Sequence, residues 1–197
     1  MDLKEQTNRI KEMMGINKIK PKTISFYYHE NLMDLFSEYH TEITEEDGER
    51  NIVVDKIINN DFTNNPQVFY DSFINMKKHQ QMLTDYSLDD FQEMKVYKLN
   101  GYDIGYALKK MNTGDYEIVS VFNNSDVKNI GEELIKSAVK NGGCYLDHYD
   151  GFLSSLYSRL GFEEYKRYPY DPKYDPNGLF REKYGEQDVI FRKHKDC

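Results

Sequence analysis

From residue 94 onward, apolar and polar residues alternate with the two-residue period of strands or recur with the longer period of helices. Asn100-Gly101 separates two strand-like runs, which predicts a β-hairpin because both turn positions favour positive φ. Six strands are predicted, at 94–99, 102–111, 116–122, 144–149, 162–168 and 187–193. Two helices are predicted between them, at 126–141 and 151–160, the first with Asp126 as its N-cap. This order of elements predicts a mixed α/β sheet, not a doubly wound parallel one.

The residues before 94 give a weaker pattern, in which apolar residues at helical spacing predict three helices and one aromatic-rich run predicts a strand. The helices are predicted at 2–14, 29–40 and 64–78, and the strand at 23–28. Residues 51–59 fit either a strand or a helical turn. We therefore expect a helical extension over residues 1–22 and a single domain over residues 23–197.

Composition narrows the class of protein. The 197 residues include 39% hydrophobic ones, enough for the core of one domain. Lys and Arg number 26 against 34 Asp and Glu, so the net charge is −8. An acidic chain is a poor nucleic-acid binder, since that function needs a basic face to replace counterions. The same charge favours a cationic partner.

The sequence argues against a membrane-spanning segment, a disulfide framework and a metal-binding site. No apolar run approaches about 18 residues, and the N-terminus lacks the apolar core of a signal peptide. The two cysteines, Cys144 and Cys197, make neither a disulfide framework nor a cysteine-built zinc site. We expect a cytoplasmic protein with reduced thiols and no metal site.

Three local motifs carry a family resemblance. The strand at 116–122 is followed by a polar turn and Gly131-Glu132-Glu133-Leu134-Ile135. Leu156-Tyr157-Ser158-Arg159-Leu160-Gly161-Phe162 ends the second predicted helix, and two strand-like runs follow at 162–165 and 188–192. In this order the motifs resemble the GNAT superfamily of acyl-CoA N-acyltransferases, most clearly over residues 94–194. The resemblance implies a GNAT-like α/β fold with an extra N-terminal helix.

The resemblance also implies a binding loop for acetyl-CoA at 126–131, where a strand turns into a helix whose amides and dipole favour phosphate. The family pattern there is Gln/Arg-x-x-Gly-x-Gly/Ala, and this chain keeps only the last glycine, with Asp126 and Asn129 at the other two positions. Asn tolerates the left-handed conformation better than most residues do. A capped helix without a ligand is the alternative. The candidate cofactor-binding residues are Val121, Phe122, Lys128, Asn129, Ile130, Gly131 and Asp150.

Acyl transfer needs a base for the amine and an acid for the leaving thiolate. By resemblance, Tyr157 is the candidate acid and Glu117 the candidate base. His148 is a second candidate base because the pKa of imidazole lies near neutrality. The alternatives are a core aromatic for Tyr157 and a solvent-facing strand residue for Glu117. Asp150 stands where many family members have a cofactor-contacting asparagine, and its alternative is a helix cap.

These observations predict an acetyl-CoA-dependent N-acetyltransferase that modifies an unidentified amine, with a cationic acceptor favoured by the charge of the chain. A non-catalytic binding or assembly protein of the same fold is the alternative, favoured by the departures in the loop. The composition, rich in Lys, Asn, Ile, Asp and Tyr, is similar to that of bacteriophage-encoded proteins.

Overall fold

A computed structural model describes residues 45–76, 82–174 and 178–197, and residues 45–197 belong to one compact unit. Its helices are α1 (Glu45–Ile58), α2 (Pro66–Ile74), α3 (Leu88–Gln92), α4 (Gly131–Lys140), α5 (Phe152–Arg159) and α6 (Leu179–Tyr184). Its strands are β1 (Phe62–Thr63), β2 (Lys95–Leu99), β3 (Ile104–Lys110), β4 (Tyr116–Asn123), β5 (Gly143–Tyr149), β6 (Phe162–Tyr168) and β7 (Val189–His194). A short 3₁₀ helix spans Pro172–Tyr174.

The strands form one seven-stranded sheet in the order β1-β2-β3-β4-β5-β7-β6. Neighbouring strands are antiparallel except β4 and β5, which are parallel and joined by the crossover helix α4. The six strands and two helices predicted after residue 94 are present, with shifted ends. The predicted mixed α/β fold class is therefore confirmed.

Each face of the sheet has its own core. One face packs against α1, α4 and α5, where Tyr106, Leu108 and Leu134 are almost fully buried. The other face packs β2, β3 and β4 against α2 and α3 through an aromatic cluster. The members of that cluster are Phe69, Phe73, Phe91 and Phe122. Because helices cover both faces of β3 and β4, packing holds in place the residues at the ends of these strands.

Two local predictions are resolved or corrected. The undecided segment 51–59 lies mostly in helix α1, because Val53 and Ile57 fall four residues apart and both are buried against the core. The predicted cap at Asp126 is wrong, since α4 begins only at Gly131. The intervening loop is held instead by Asn123, whose amide donates to the Val127 carbonyl at 2.6 Å.

The expectation of two reduced thiols is also wrong. Cys144 at the start of β5 and Cys197 beyond β7 form a disulfide, with their Cα atoms 5.8 Å apart. They are 53 residues apart in the sequence, and only the antiparallel pairing of β5 with β7 brings them together.

Several predictions fall outside the described residues: the helices at 2–14 and 29–40, the strand at 23–28 and the extension over 1–22. Within the described ranges, no helix has the length and apolar character needed to cross a membrane. The same ranges contain no group of three His, Cys, Asp or Glu side chains placed to hold a metal ion.

Candidate functional site

A cleft opens where the two parallel strands separate. Strands β4 and β5 are paired only at Tyr116–Gly143 and Glu117–Tyr145, and beyond these pairs they diverge. A cavity of about 1200 Å³ lies in the opening, lined by both strands, the loop before α4 and the start of α5. Its volume is slightly above the usual range of roughly 300–1,000 Å³ for small-molecule sites. The predicted residues Tyr157, His148, Asp150 and Gly131 are among its lining residues.

A β-bulge in β4 borders this cleft. Val119 pairs with Ala107 and Phe122 with Gly105, so Ser120 and Val121 together face the single residue between those partners. Ser120 has a φ of 51°, a left-handed value uncommon for a residue other than glycine. Its hydroxyl is buried and has no hydrogen-bond partner in the described part of the chain. Such bulges bend a strand and change the direction of its side chains, which helps to open the sheet here.

Tyr157 reaches the cleft from α5. The side chain is only 8% exposed, and its ring contacts the rings of His148 and Phe162 at centroid distances of 5.0 and 6.0 Å. Among the described residues, its hydroxyl has no hydrogen-bond partner. Burial, and to a smaller extent the charge of Asp147, raises the pKa of Tyr157 to about 12. The phenol is therefore protonated at neutral pH and free to donate a hydrogen bond to a ligand.

His148 lies beside Tyr157, but both of its ring nitrogens are engaged. Nδ1 donates to the Tyr149 carbonyl at 2.7 Å, and Nε2 accepts from Nε of Arg192 at 2.9 Å. Burial lowers the pKa of His148, and the neighbouring guanidinium lowers it further. This bonding pattern assigns a neutral imidazole whose acceptor nitrogen is already occupied. Its environment is thus that of a structural residue that orients the Tyr157 ring.

Glu117 lies at the closed end of the cleft, in the last residue pair between β4 and β5. Burial raises the pKa of Glu117, the charge of Asp147 raises it further, and Lys109 opposes both effects. A glutamate with a raised pKa is a better proton acceptor than an ordinary surface one. Glu117 does not itself line the cavity, so contact with a bound amine requires an intervening water.

Asp147 is the acidic residue that the sequence analysis did not select. It lines the cavity with an exposed side chain, and nearby protein atoms that partly displace water are the main cause that raises its pKa. Alternation along β5 places Asp147 on the opposite face from His148, the face that also carries Glu117 on β4. The two-residue period of β5 is the sequence signal that places Asp147 on this face.

The loop before α4 has the geometry of a phosphate site in part. Asn129 has a φ of 60°, so it adopts the left-handed conformation at the position where the family has glycine. Gly131 is the first residue of α4, and a Cβ there would meet no protein atom within 4 Å. No side chain caps the helix at Ile130, which leaves amides of the first turn available to a ligand. The carboxylates of Glu132 and Glu133 oppose an anion there.

The other candidate cofactor residues differ in what they can contribute. Phe122 and Ile130 have buried side chains, so only their backbone atoms can contact a ligand. Val121 is half-buried and packs against the core, whereas Lys128 is exposed and lines the cavity. The loop therefore presents backbone atoms and the exposed side chain of Lys128 to the cavity.

Asp150 lies just before Gly151, the N-cap of α5, and that helix has no side-chain cap. Oδ1 of Asp150 accepts from the Gly151 amide at 2.8 Å and from the Ser154 hydroxyl at 2.6 Å, and its Oδ2 lies 2.7 Å from Arg167. The hydrogen bonds from Ser154 and Arg167 lower the pKa of Asp150 to about 2. Although Asp150 lines the cavity, both of its oxygens already have partners in the protein.

Comparison with known proteins gives a limited result. No family model matches the chain, and no curated protein matches it. Two solved structures of N-acetylglutamate synthase from Neisseria gonorrhoeae are similar to it, one complexed with coenzyme A and N-acetyl-glutamate, the other with coenzyme A and L-arginine. They are 15% and 17% identical, with TM-scores of 0.39 and 0.35 over 66% and 57% of this chain. The matched region spans only 33% and 27% of the length of those proteins.

Proposed function

We propose that this protein is an N-acetyltransferase that moves an acetyl group from acetyl-CoA to an amine. The observation that carries the proposal is the cleft between β4 and β5. The buried side chain of Tyr157 faces this cleft with a hydroxyl that has no partner in the described part of the chain, and a glutamate with a raised pKa, Glu117, lies at the closed end. An acid and a base on opposite sides of one opening are what acyl transfer to an amine requires.

The thioester enters this cleft from the loop before α4. The amides around Asn129 and Gly131 bind the pyrophosphate, helped by the helix dipole, and Lys128 adds a positive charge at the rim. The pantetheine arm then passes between the separated strands, beside the half-buried Val121. This path leads the thioester sulfur toward the hydroxyl of Tyr157.

In the reaction, the acceptor first loses one proton from its ammonium group to Glu117 through water. The neutral nitrogen attacks the acetyl carbon, a carbon–nitrogen bond forms, and the carbon–sulfur bond breaks. The hydroxyl of Tyr157 donates a proton to the leaving thiolate and regains one from solvent. The nitrogen loses its second proton to solvent, which offsets the proton that Tyr157 regains, and Glu117 releases the first one, so the net change is amide, free thiol and one proton released to solvent.

The test is a calorimetric titration of the protein with acetyl-CoA, followed by an assay of free thiol release with a panel of amines. Binding tighter than about 100 μM together with amine-dependent thiol release is the expected result. An Asn129→Gly variant, which restores the family residue, should bind acetyl-CoA equally well or more tightly. Absence of binding at millimolar acetyl-CoA would refute the proposal.

The alternative, a non-catalytic binding protein of the same fold, is favoured by one specific observation. Asp126 is exposed at the mouth of the cavity, and Glu132 and Glu133 lie in the first turn of α4, so three carboxylates surround the proposed phosphate site. Lys136 pairs with both glutamates, at 2.9 and 3.1 Å, which reduces their repulsion of an anion. The same titration separates the two functions.

A further inference from the structure

The face of the sheet opposite α5 carries an aromatic surface next to the cleft. Tyr145 on β5 and Tyr165 on β6 meet edge to face at a centroid distance of 5.9 Å. Phe191 on β7 continues the surface, with its ring 6.4 Å from that of Tyr165. Asp147 pairs with Phe191 in the sheet and lies two residues beyond Tyr145 on the same face. The carboxylate therefore stands where the aromatic surface meets the cavity.

Two carboxylates in this region have no ion pair among the described residues. Asp147 lines the cavity, and Glu117 lies beside it. Burial is the main cause that raises the pKa of Tyr165, and the charges of both carboxylates raise it further. The charge of Asp147 also raises the pKa of Glu117, again by less than burial does. Asp147 is two residues beyond the strand partner of Glu117, where β4 and β5 have already separated. Glu117 is half-buried and Asp147 is exposed to the cavity. Two negative charges on one face of the opening favour a cation between or beside them.

The cations that face this pair already lie on tyrosine rings. The ammonium group of Lys109 lies 5.2 Å from the ring centre of Tyr86, and that of Lys193 lies 5.4 Å from the ring centre of Tyr145. These contacts are cation–π interactions with lysines of the protein itself. Neither lysine lies within ion-pair distance of Asp147 or Glu117.

An independent observation points to a ligand in the same cavity. The side chain of Tyr157 is only 8% exposed and lines this cavity, and its hydroxyl has no hydrogen-bond partner within the described ranges. A hydroxyl that no protein group engages can donate its hydrogen bond to a molecule bound in the cavity. Asp147 lines the same cavity, so the two groups border one binding space.

We propose that Asp147 anchors the acceptor: the substrate is an aliphatic amine that carries a second ammonium group, and Asp147 binds that group while Glu117 receives the proton of the reacting one. This inference rests on the proposed acetyl transfer and specifies its acceptor class. Asp147 is then a binding residue, and its loss weakens acceptor binding more than it slows the chemical step.

The test compares three amines that share one carbon chain length and differ only in the charge at the far end: putrescine, butylamine and γ-aminobutyrate. Thiol release from acetyl-CoA is measured for the unmodified protein and for Asp147→Asn. The matched control is Asp55→Asn, which removes an exposed carboxylate from α1, away from the cavity. Calorimetric titration of the protein with putrescine in the absence of acetyl-CoA measures binding apart from transfer.

We expect kcat/KM to fall in the order putrescine, butylamine, γ-aminobutyrate. In Asp147→Asn, the KM for putrescine should rise about tenfold or more with kcat nearly unchanged, while the KM for butylamine stays the same. Equal kcat/KM values for the three amines would overturn the proposal, and so would a fall in kcat at unchanged KM, which would make Asp147 the base. If no amine is acetylated, the proposed function fails. The amine-binding role of Asp147 is still supported in that case if the protein binds putrescine and Asp147→Asn abolishes this binding. Absence of such binding refutes that role.

Discussion

Removing the hydroxyl of Tyr157 tests its catalytic and structural roles at once. Tyr157→Phe keeps the ring, and therefore the contacts with His148 and Phe162. Because the hydroxyl has no partner among the described residues, its removal breaks no hydrogen bond within them. The hydroxyl borders the cavity and is not among the fully enclosed polar atoms, so its removal relieves no large desolvation cost. The free energy of unfolding should therefore change by less than about 1 kcal/mol.

Turnover, unlike stability, should fall in Tyr157→Phe. Loss of a general acid typically slows the reaction about 10- to 100-fold, which corresponds to roughly 1.4–2.7 kcal/mol of transition-state stabilisation. Affinity for acetyl-CoA should be nearly unchanged, since the hydroxyl contacts the sulfur only as the bond breaks. Thiol release under saturating substrates, urea denaturation and calorimetric titration measure the three quantities.

Tyr106→Phe is the matched control. Tyr106 is also buried, and burial also raises its pKa to about 12, but its hydroxyl is bonded to Ser137 at 3.0 Å and to Asn141 at 2.9 Å. Removing it breaks both of these hydrogen bonds, although the Asn141 amide keeps its bonds to Asn60 and to the Ser137 carbonyl, and it should cost about 1 kcal/mol or more of stability, with turnover of the folded protein unchanged. If Tyr157→Phe instead loses more than about 1 kcal/mol of stability at normal turnover, the reasoning is wrong and Tyr157 is a structural residue.

Three further predictions follow from the site and the disulfide. Glu117→Gln should lower turnover about 100-fold near neutral pH. In the unmodified protein, burial raises the pKa of Glu117, so turnover should fall at a pH above the ordinary pKa of glutamate. The variant should lack this acidic limb of the pH profile. The loss of turnover should shrink at high pH, where the amine is already neutral, and a pH-independent loss would contradict the assignment. Gly131→Val should weaken acetyl-CoA binding about tenfold or more with an unchanged melting temperature, since its Cβ would meet no protein atom within 4 Å; unchanged affinity would remove the loop from the site. Cys197→Ser should lower the free energy of unfolding by at most about 4 kcal/mol, the loop-entropy value for a separation of 53 residues. A reducing agent should have no additional effect on this variant. If the melting temperature of the unmodified protein does not respond to reductant, the Cys144–Cys197 bond is absent in solution.

The sheet after residue 94 was predictable because its signals are local. The Asn100-Gly101 turn and the periods of the flanking runs specify β2 and β3 without knowledge of the rest of the chain. The bulge at Ser120 was not predictable, because β4 reads as an uninterrupted strand and only its pairing with β3 shows the extra residue. The close approach at Gly105, where a Cβ would lie 2.6 Å from the Tyr97 carbonyl, is likewise visible only in three dimensions.

The candidate site was predictable in part for a similar reason. Tyr157 and Glu117 were identified from motifs in the chain, and the cleft relates the two positions. His148 was chosen for its intrinsic pKa, but its partner Arg192 lies 44 residues away and is brought beside it by the pairing of β5 with β7. The environment of a titratable group depends on such distant contacts, so residue type alone could not distinguish a base from an orienting residue.

The position of β7 has a consequence for the order in which the protein can be built on the ribosome. β7 lies between β5 and β6 in the sheet although it follows both in the chain. The hairpins of β2, β3 and β4 can pair as soon as they emerge, whereas β5 and β6 keep open edges until residues 189–194 are made. At bacterial rates, that interval lasts about one to five seconds. The wall of the cleft formed by β4 can therefore fold during synthesis. The wall formed by β5 stays incomplete, with an open strand edge and exposed aromatic side chains, so the nascent chain depends most on chaperones in that interval.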